Sequence, residues 1–396
     1  MKSLERIFLR SSSAVGLLLG LGGCVEPYMP DVINAPNKYL VVDGFINGNG
    51  ATRIKLSRTE NIATSTAPPV EKGATIFIVD NSGARYAVRE VSPGFYKSDS
   101  MVLNPARQYQ LRIATAGSSA ANYESDLVAL KVTPPIDKVD WVQQGGELQL
   151  RVSTHDAQAQ SRYYRWSFTE TWEFNSAYES KIELIRSIIQ PRVTPIYRCW
   201  HTEANTAIHQ SSSAQLSQDA ITNLLLLRFS DRAERLKIRY SLFVTQYAET
   251  PAEFAYLEIL RKNTEAVGGV NDPLPSQLTG NVHRVGTATN EPVLGFVGAH
   301  TMQQTRIFLT PQILNLPAGW AFEDPYSACN IGQELVPDPG DKYPIYIPNT
   351  RIFLDPGNVP IDYITGPGGT PTGYTGSSRA CVDCRTRGVN MKPSFW

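Results

Sequence analysis

Residues 162 to 174 read Arg162-Tyr163-Tyr164-Arg165-Trp166-Ser167-Phe168-Thr169-Glu170-Thr171-Trp172-Glu173-Phe174. Rings and β-branched side chains fill the stretch, as in strands that pack on a pleated surface. It is long enough for one long strand or two bent ones. As one strand it sets Tyr164, Trp166, Phe168, Trp172 and Phe174 on a common face, because side chains repeat every second residue. Glu170 falls on that same face. A carboxylate among rings must be paired, protonated or at an edge, and an ion pair with an arginine is the expected arrangement.

Toward the N-terminus the runs are shorter: Tyr39 to Ile46, Arg53 to Ser57, Ala74 to Val79, Arg85 to Arg89, Gln108 to Ile113 and Leu127 to Val132. Between them stand Asn47-Gly48-Asn49-Gly50, Asp80-Asn81-Ser82-Gly83 and Ser92-Pro93-Gly94, which suit the reversals of hairpins. The spacing predicts a mainly β protein with an immunoglobulin-like or fibronectin-like β-sandwich over residues 38–133. Thr133-Pro134-Pro135 breaks the pattern, since proline cannot donate to a ladder, and the domain boundary is expected there.

A second β-rich domain is expected over 136–396. Glu147 to Ser153 alternates, and Ile238 to Tyr247 is apolar on both parities, as a strand covered on both faces would be. Thr250-Pro251 with Glu253 predicts a capped helix whose Glu253 reaches back to the Thr250 amide, with Tyr256, Leu257, Ile259 and Leu260 inward and Gly268-Gly269 as its stop. Ser217 to Leu226 suits a second, shorter helix inside an insertion from Asn175 to Glu234. Strands are expected again at Pro292 to Gly298 and Thr305 to Leu309. The tail from Thr310 to Trp396 is rich in Pro and Gly, so it is expected to lack a core of its own and to be stapled to the body.

The N-terminus has the parts of a secretory signal over 1–23: Lys2, Arg6 and Arg10, an apolar stretch from Ala14 to Leu21, then Leu21-Gly22-Gly23-Cys24. The stretch is too short to span a bilayer, and its end resembles a bacterial lipobox, so Cys24 is expected to carry lipid and 24–37 to act as a tether. The alternative is an ordinary signal with Cys24 left to a disulfide. No later segment has the unbroken apolar length of a membrane helix. Export makes the other cysteines, Cys199, Cys329, Cys381 and Cys384, candidates for two disulfides, with tail-to-body bridges favoured because they close long loops. A four-cysteine zinc site or a redox-active Cys381-Val382-Asp383-Cys384 fits the spacing less well.

Charge is balanced at 37 basic and 37 acidic residues, with no basic run carrying aromatics, which argues against a nucleic-acid partner. Nucleophile-elbow, zinc-protease and phosphate-loop motifs are missing, and no catalytic residue, metal or cofactor is expected. His201 and His209 could bind metal only with carboxylates brought in by loops. Glu170 and Glu173 look like a glycosidase pair, yet positions three apart point to opposite faces of a strand. Trp166, Trp172, Trp200 and Trp320 are candidates for a ligand or interface platform, with core packing as the commoner use of such rings.

Several segments together resemble the Bacteroidota lipoprotein family catalogued as domain of unknown function 4249. They include Cys24-Val25-Glu26-Pro27, Leu40-Val41-Val42-Asp43-Gly44, Leu56-Ser57-Arg58-Thr59, Tyr164-Arg165-Trp166, Cys199-Trp200, Lys262-Asn263-Thr264-Glu265, Pro275-Ser276-Gln277 and Val293-Leu294-Gly295. The tail pieces Cys381-Val382-Asp383-Cys384-Arg385 and Lys392-Pro393-Ser394-Phe395-Trp396 are the most specific. The resemblance implies an outer-membrane lipoprotein, facing the cell surface, that assists a TonB-dependent receptor in nutrient uptake. The expected function is therefore non-enzymatic, with a peptide or carbohydrate as ligand. The alternative is a surface-anchored hydrolase using loop carboxylates such as Glu173 or Asp156.

Overall fold

The computed structural model describes residues 38–60, 67–117, 120–186, 188–265, 278–286, 291–335, 357–369 and 371–396. The expected signal sequence, Cys24, the expected tether, Gly268-Gly269 and Pro275-Ser276-Gln277 lie outside the described residues. The protein is mainly β, as its periodicities predict.

β1 (Leu40–Asn47) and β2 (Asn49–Arg58) form the first hairpin. At its reversal the Asn47 side-chain oxygen accepts from the Asn49 amide at 3.1 Å, a side-chain bond that mimics a backbone turn. β3 (Thr75–Asp80), β4 (Arg85–Ser92), β5 (Phe95–Val102), β6 (Gln108–Ala114), β7 (Asn122–Ser125) and the short β8 (Val128–Ala129) follow. Asp80 holds the β3–β4 turn by accepting from the amides of Ser82 and Ala84.

These strands make one curled sheet rather than two separate ones. Its order is β18-β7-β6-β3-β4-β5-β2-β1-β19 with β8 on β6, where β18 (Val282–Val285) and β19 (Ala299–His300) arrive from late in the chain. Leu40, Val42, Ile54, Ile76, Tyr109 and Leu111 meet in its core. The two late strands lie beyond the boundary expected at 133–135. They cover the edges of β1 and β7, whose amides and carbonyls would otherwise stand unpaired.

The strand expected at Pro292 to Gly298 is reduced to a single bridge. The Val42 amide donates to the Leu294 carbonyl at 2.8 Å and the Leu294 amide to that of Leu40 at 2.9 Å. Gly295 then takes φ 120°, so near β1 that a Cβ would lie 1.9 Å from the Val42 oxygen. Only glycine permits that conformation and approach, and the ladder stops there.

The second core lies between two sheets. β9 (Ile136–Gln144), β10 (Glu147–His155) and β16 (Ala220–Ser230) form one, in the order β16-β10-β9. The other has the order β14-β11-β17-β20, from β11 (Tyr163–Asn175), β14 (Arg198–Ala204), β17 (Arg239–Ala248) and β20 (Met302–Leu309), with β15 (His209–Ser212) also on β11. β11 is one long strand, and its even-numbered rings pack against Leu148, Leu150 and Val152. Burying each such ring or aliphatic chain stabilises by roughly 1.5 to 3 kcal/mol. The Trp166 indole donates to Gln246 at 2.8 Å, and Gln246 donates to the Pro134 carbonyl at 2.8 Å, so the boundary segment is tied to the core.

The helix expected at Ser217 to Leu226 is instead the start of β16. Its run Leu224-Leu225-Leu226-Leu227 suits either period, and pairing with β10 decides the matter because it buries Ile221 and Leu226. The register shifts along this pair, with Asn223 at φ 53°, absorb the mismatch.

α1 (Pro251–Glu265) begins as expected, the Thr250 hydroxyl accepting from the Glu253 amide at 3.2 Å. The Thr250 amide in turn helps to hold the Glu253 carboxylate, as the capping box predicts. The Glu253 carboxylate turns inward and lies 3.3 Å from His300 Nε2, and Ile259 is exposed rather than packed.

The tail has more structure than its composition predicts. β12 (Ile182–Ile185) and β13 (Ile188–Pro191) form a hairpin beside a small sheet of β21 (Gly332–Leu335), β23 (Pro371–Ser378) and β22 (Asn358–Thr365). With the short α2 (Arg379–Val382), the tail shares a small core of Ile196, Val359, Ile361, Cys381 and Val382. Disulfides Cys199–Cys384 and Cys329–Cys381 staple it to the body. The chain ends against the outer face of the five-stranded sheet, where Arg239 lies over the rings of Phe308 and Trp396 and Arg306 over those of Phe243 and Phe395.

Candidate functional site

Where β11 ends, the chain and its tail enclose a cleft of about 550 Å³. Phe174 and Asn175 come from β11, Tyr178 from the loop after it, Tyr197 from the approach to β14, and Glu234 and Lys237 from the turn before β17. Asp324, Tyr326 and Cys329 of the tail form the opposite wall. The Tyr178 hydroxyl donates to the Cys329 carbonyl at 2.9 Å, so the two walls are tied together.

Arg387 touches three of the lining residues. It binds both carboxylate oxygens of Glu234, and its guanidinium lies 5.0 Å from the Phe174 ring centre and 5.2 Å from that of Tyr326. Its bonds to Glu234 hold the Arg387 pKa above its ordinary value, so the guanidinium stays charged. One polar atom remains unspent: Asn175 Oδ1 is shielded from solvent and meets no hydrogen-bond partner, while the Tyr326 hydroxyl is held by Arg387. Burial raises the Tyr326 pKa, which keeps the phenol protonated. Rings and an unpaired polar group in one concave surface suit ligand binding.

The candidate tryptophans do not make a platform. Trp166, Trp172 and Trp200 are buried, and half-buried Trp320 lies 5.0 Å from Arg232 and donates to the Asp231 carbonyl. Glu170 accepts from Arg235 at 2.7 Å and from the Tyr240 hydroxyl at 2.8 Å, so it is held in an ion pair. Glu173, on the opposite face of β11, accepts from the Trp396 indole at 3.0 Å and lies 3.2 Å from Arg198. Asp156 accepts from the amides of Gln158, Gln160 and Ser161 and shapes its own loop.

His201 packs on Trp172 and His209 near Phe168, so the two histidines serve different rings. Among the described residues no group of three or more His, Cys, Asp and Glu side chains could hold a metal. Cys199, Cys329, Cys381 and Cys384 are all taken up in disulfides. The cleft was missed from sequence because its walls lie some 150 residues apart; Tyr197 and Tyr326, each beside a cysteine-bearing segment, were the available signal.

A second cluster of charges is largely buried. Arg165 Nε donates to Glu249 at 2.5 Å, Gln210 donates to the other Glu249 oxygen at 2.6 Å, and Glu253 faces His300. Burial raises the Glu249 carboxyl to about 7; Arg165 opposes the rise and Glu253 adds to it. Burial also acts on Glu253, yet His300 and Arg165 hold its carboxyl below the ordinary value. His300 is fully buried and stacked on Phe45, with ring centres 4.2 Å apart. The cluster joins α1 and β17 to the first sheet.

The model of the family described as Domain of unknown function (DUF4249) matches residues 25–306. No curated protein matches. Among solved structures 41 chains match. One is a DUF4785 family protein from Legionella pneumophila, 10% identical, aligned over 52% of this chain and 51% of that chain with a TM-score of 0.18. The chain thus spans about half the length of that structure, and a likeness so slight carries no argument. The match over residues 25–306 takes in well over half of the sequence, and the chain belongs to the DUF4249 family.

Proposed function

We propose that this protein is a binding component and not an enzyme, a lipoprotein held at the outer membrane through Cys24 that captures a ligand beside a TonB-dependent receptor in nutrient uptake. The observation that carries the binding reading is the cleft behind Tyr326. It combines rings able to cover an apolar face with Asn175 Oδ1, which lacks a partner in the chain. A short peptide or a carbohydrate has the matching chemistry, hydrogen-bonding groups alternating with apolar surface. The anchor is supported by the signal and the small residues before Cys24, and the receptor by family resemblance. The hydrolase alternative is weaker, because Glu173 and Asp156 are committed to Trp396, Arg198 and loop amides.

Thermal-shift screening of the mature protein with oligosaccharides and short peptides tests the cleft. A ligand found this way should bind roughly tenfold more weakly to Asn175→Ala and to Tyr326→Phe, the cost of about one hydrogen bond each. Equal affinity in both variants moves the ligand elsewhere. For the receptor, an affinity tag belongs in the exposed Gly145-Gly146 turn, since Trp396 is packed. Recovery of an outer-membrane barrel after mild detergent extraction is expected, and Cys24→Ser should leave the membrane fraction. Recovery of no barrel defeats the receptor part.

A further inference from the structure

We propose that the cleft behind Tyr326 takes a short peptide with free ends, one that presents a carboxylate to Lys237 and an ammonium group to Asp324. The inference rests on the binding reading above and narrows its ligand from peptide or carbohydrate to a zwitterionic oligopeptide.

Three charged side chains line the cleft: Glu234, Lys237 and Asp324. Glu234 is consumed, because Arg387 bonds both of its oxygens. Lys237 is exposed and, among the described residues, makes no ion pair and no side-chain hydrogen bond. Asp324 is exposed as well. One of its oxygens accepts from the Tyr326 amide at 3.0 Å, which holds the carboxylate on its loop, and no cation pairs with it among the described residues. The cleft therefore offers one positive and one negative charge, the first from the turn before β17 and the second from the tail on the opposite wall.

Such a pair suits a ligand that carries both signs. Filling the mouth strips water from the lysine and the aspartate, and a neutral sugar returns only hydroxyl dipoles for the hydration that is lost. A free peptide returns a counter-charge to each. A polyanion would meet Asp324 and a polycation Lys237, so a ligand of one sign is opposed at one wall.

The rest of the cleft matches a peptide backbone. Asn175 Oδ1 is without a partner and needs a donor, and every peptide unit except that of proline carries an N–H. Tyr178, Tyr197 and Tyr326 supply ring surface for side chains. A volume of about 550 Å³ is that of a pocket for a drug-sized ligand, which a peptide of a few residues is.

Titration calorimetry on the mature protein at low ionic strength tests this with the tripeptides alanyl-leucyl-alanine and alanyl-tyrosyl-alanine and with maltotriose. Each tripeptide is used free, N-acetylated, C-amidated and blocked at both ends. The free forms should bind, and each block should weaken binding about fivefold, the scale of one partly exposed ion pair. Lys237→Gln should weaken the free peptide about fivefold and leave the C-amidated form unaffected; Asp324→Asn should weaken the free peptide equally and leave the N-acetylated form unaffected. Both positions are exposed and Asp324→Asn keeps an oxygen for the Tyr326 amide, so melting temperatures should hold. A merely structural effect would weaken free and blocked peptides alike. Equal affinity for free and doubly blocked peptides, wild-type affinity of the free peptides in both variants, or tighter binding of maltotriose overturns the inference and leaves the cleft as a binding site. Binding of no peptide also overturns it, while the wider oligosaccharide screen decides the reading on which it rests.

Discussion

Glu170 sits on the buried face of β11, where Arg235 donates to it at 2.7 Å and Tyr240 at 2.8 Å. Arg235 is itself sandwiched by rings, 4.8 Å from Trp172 and 4.9 Å from Phe229. Burial raises the Tyr240 pKa, and the facing Glu170 carboxylate adds to it, so the phenol remains a donor at neutral pH. Removing one partner leaves a guanidinium and a hydroxyl without their acceptor in a low-dielectric core. Glu170→Ala is therefore expected to cost about 3 kcal/mol in chemical denaturation, whereas Glu170→Gln, which keeps shape and an accepting oxygen, costs roughly half. Equal stability of Glu170→Ala and wild type would refute this account. That β11 would carry Glu170 among its rings was legible in the sequence, because alternation is a property of the strand itself. Its partners were not, since Arg235 and Tyr240 lie on elements far along the chain.

Between elements, the buried charges at the end of β17 act as a joint. Glu249 follows β17, Arg165 lies on β11, Gln210 on β15, Glu253 on α1 and His300 on β19. Burial lifts the folded-state pKa of Glu249 from 4.5 to about 7. A raised carboxyl binds its proton more tightly folded than unfolded, so its contribution is fully present below pH 4.5 and is lost as pH rises through about 7. In that window the wild type should gain stability on acidification, by on the order of a few kcal/mol from this group. Glu249→Gln should flatten the dependence, and melting temperatures of the two proteins between pH 4.5 and 7.5 would show it. Parallel profiles would mean that Glu249 titrates normally. The start of α1 was legible, because the Thr250 cap is a local bond. The inward turn of Glu253 was not, because it depends on an imidazole from β19.

For the whole molecule, the disulfides decide whether the tail belongs to the body. Cys199–Cys384 spans 185 residues and Cys329–Cys381 spans 52, and cross-links over long loops typically stabilise by about 2 to 4 kcal/mol each. Replacing Cys199 and Cys384 together by serine should lower unfolding stability by about that much. Replacing Cys329 and Cys381 should in addition weaken any ligand of the cleft, because Tyr326 stands on the segment they hold. Binding that survives the second replacement unchanged would show that the wall is held without its disulfide. The sequence by itself determined what short-range geometry controls: the alternation of β11, the hairpin turns, the Thr250 cap, the even set of cysteines beyond Cys24. Tertiary structure decided β16 over a helix, the late strands that finish the first sheet, the pairing of the cysteines and the cleft beside Tyr326. Those choices depend on which distant surfaces bury most apolar area and satisfy most backbone groups, and no window of sequence contains both partners.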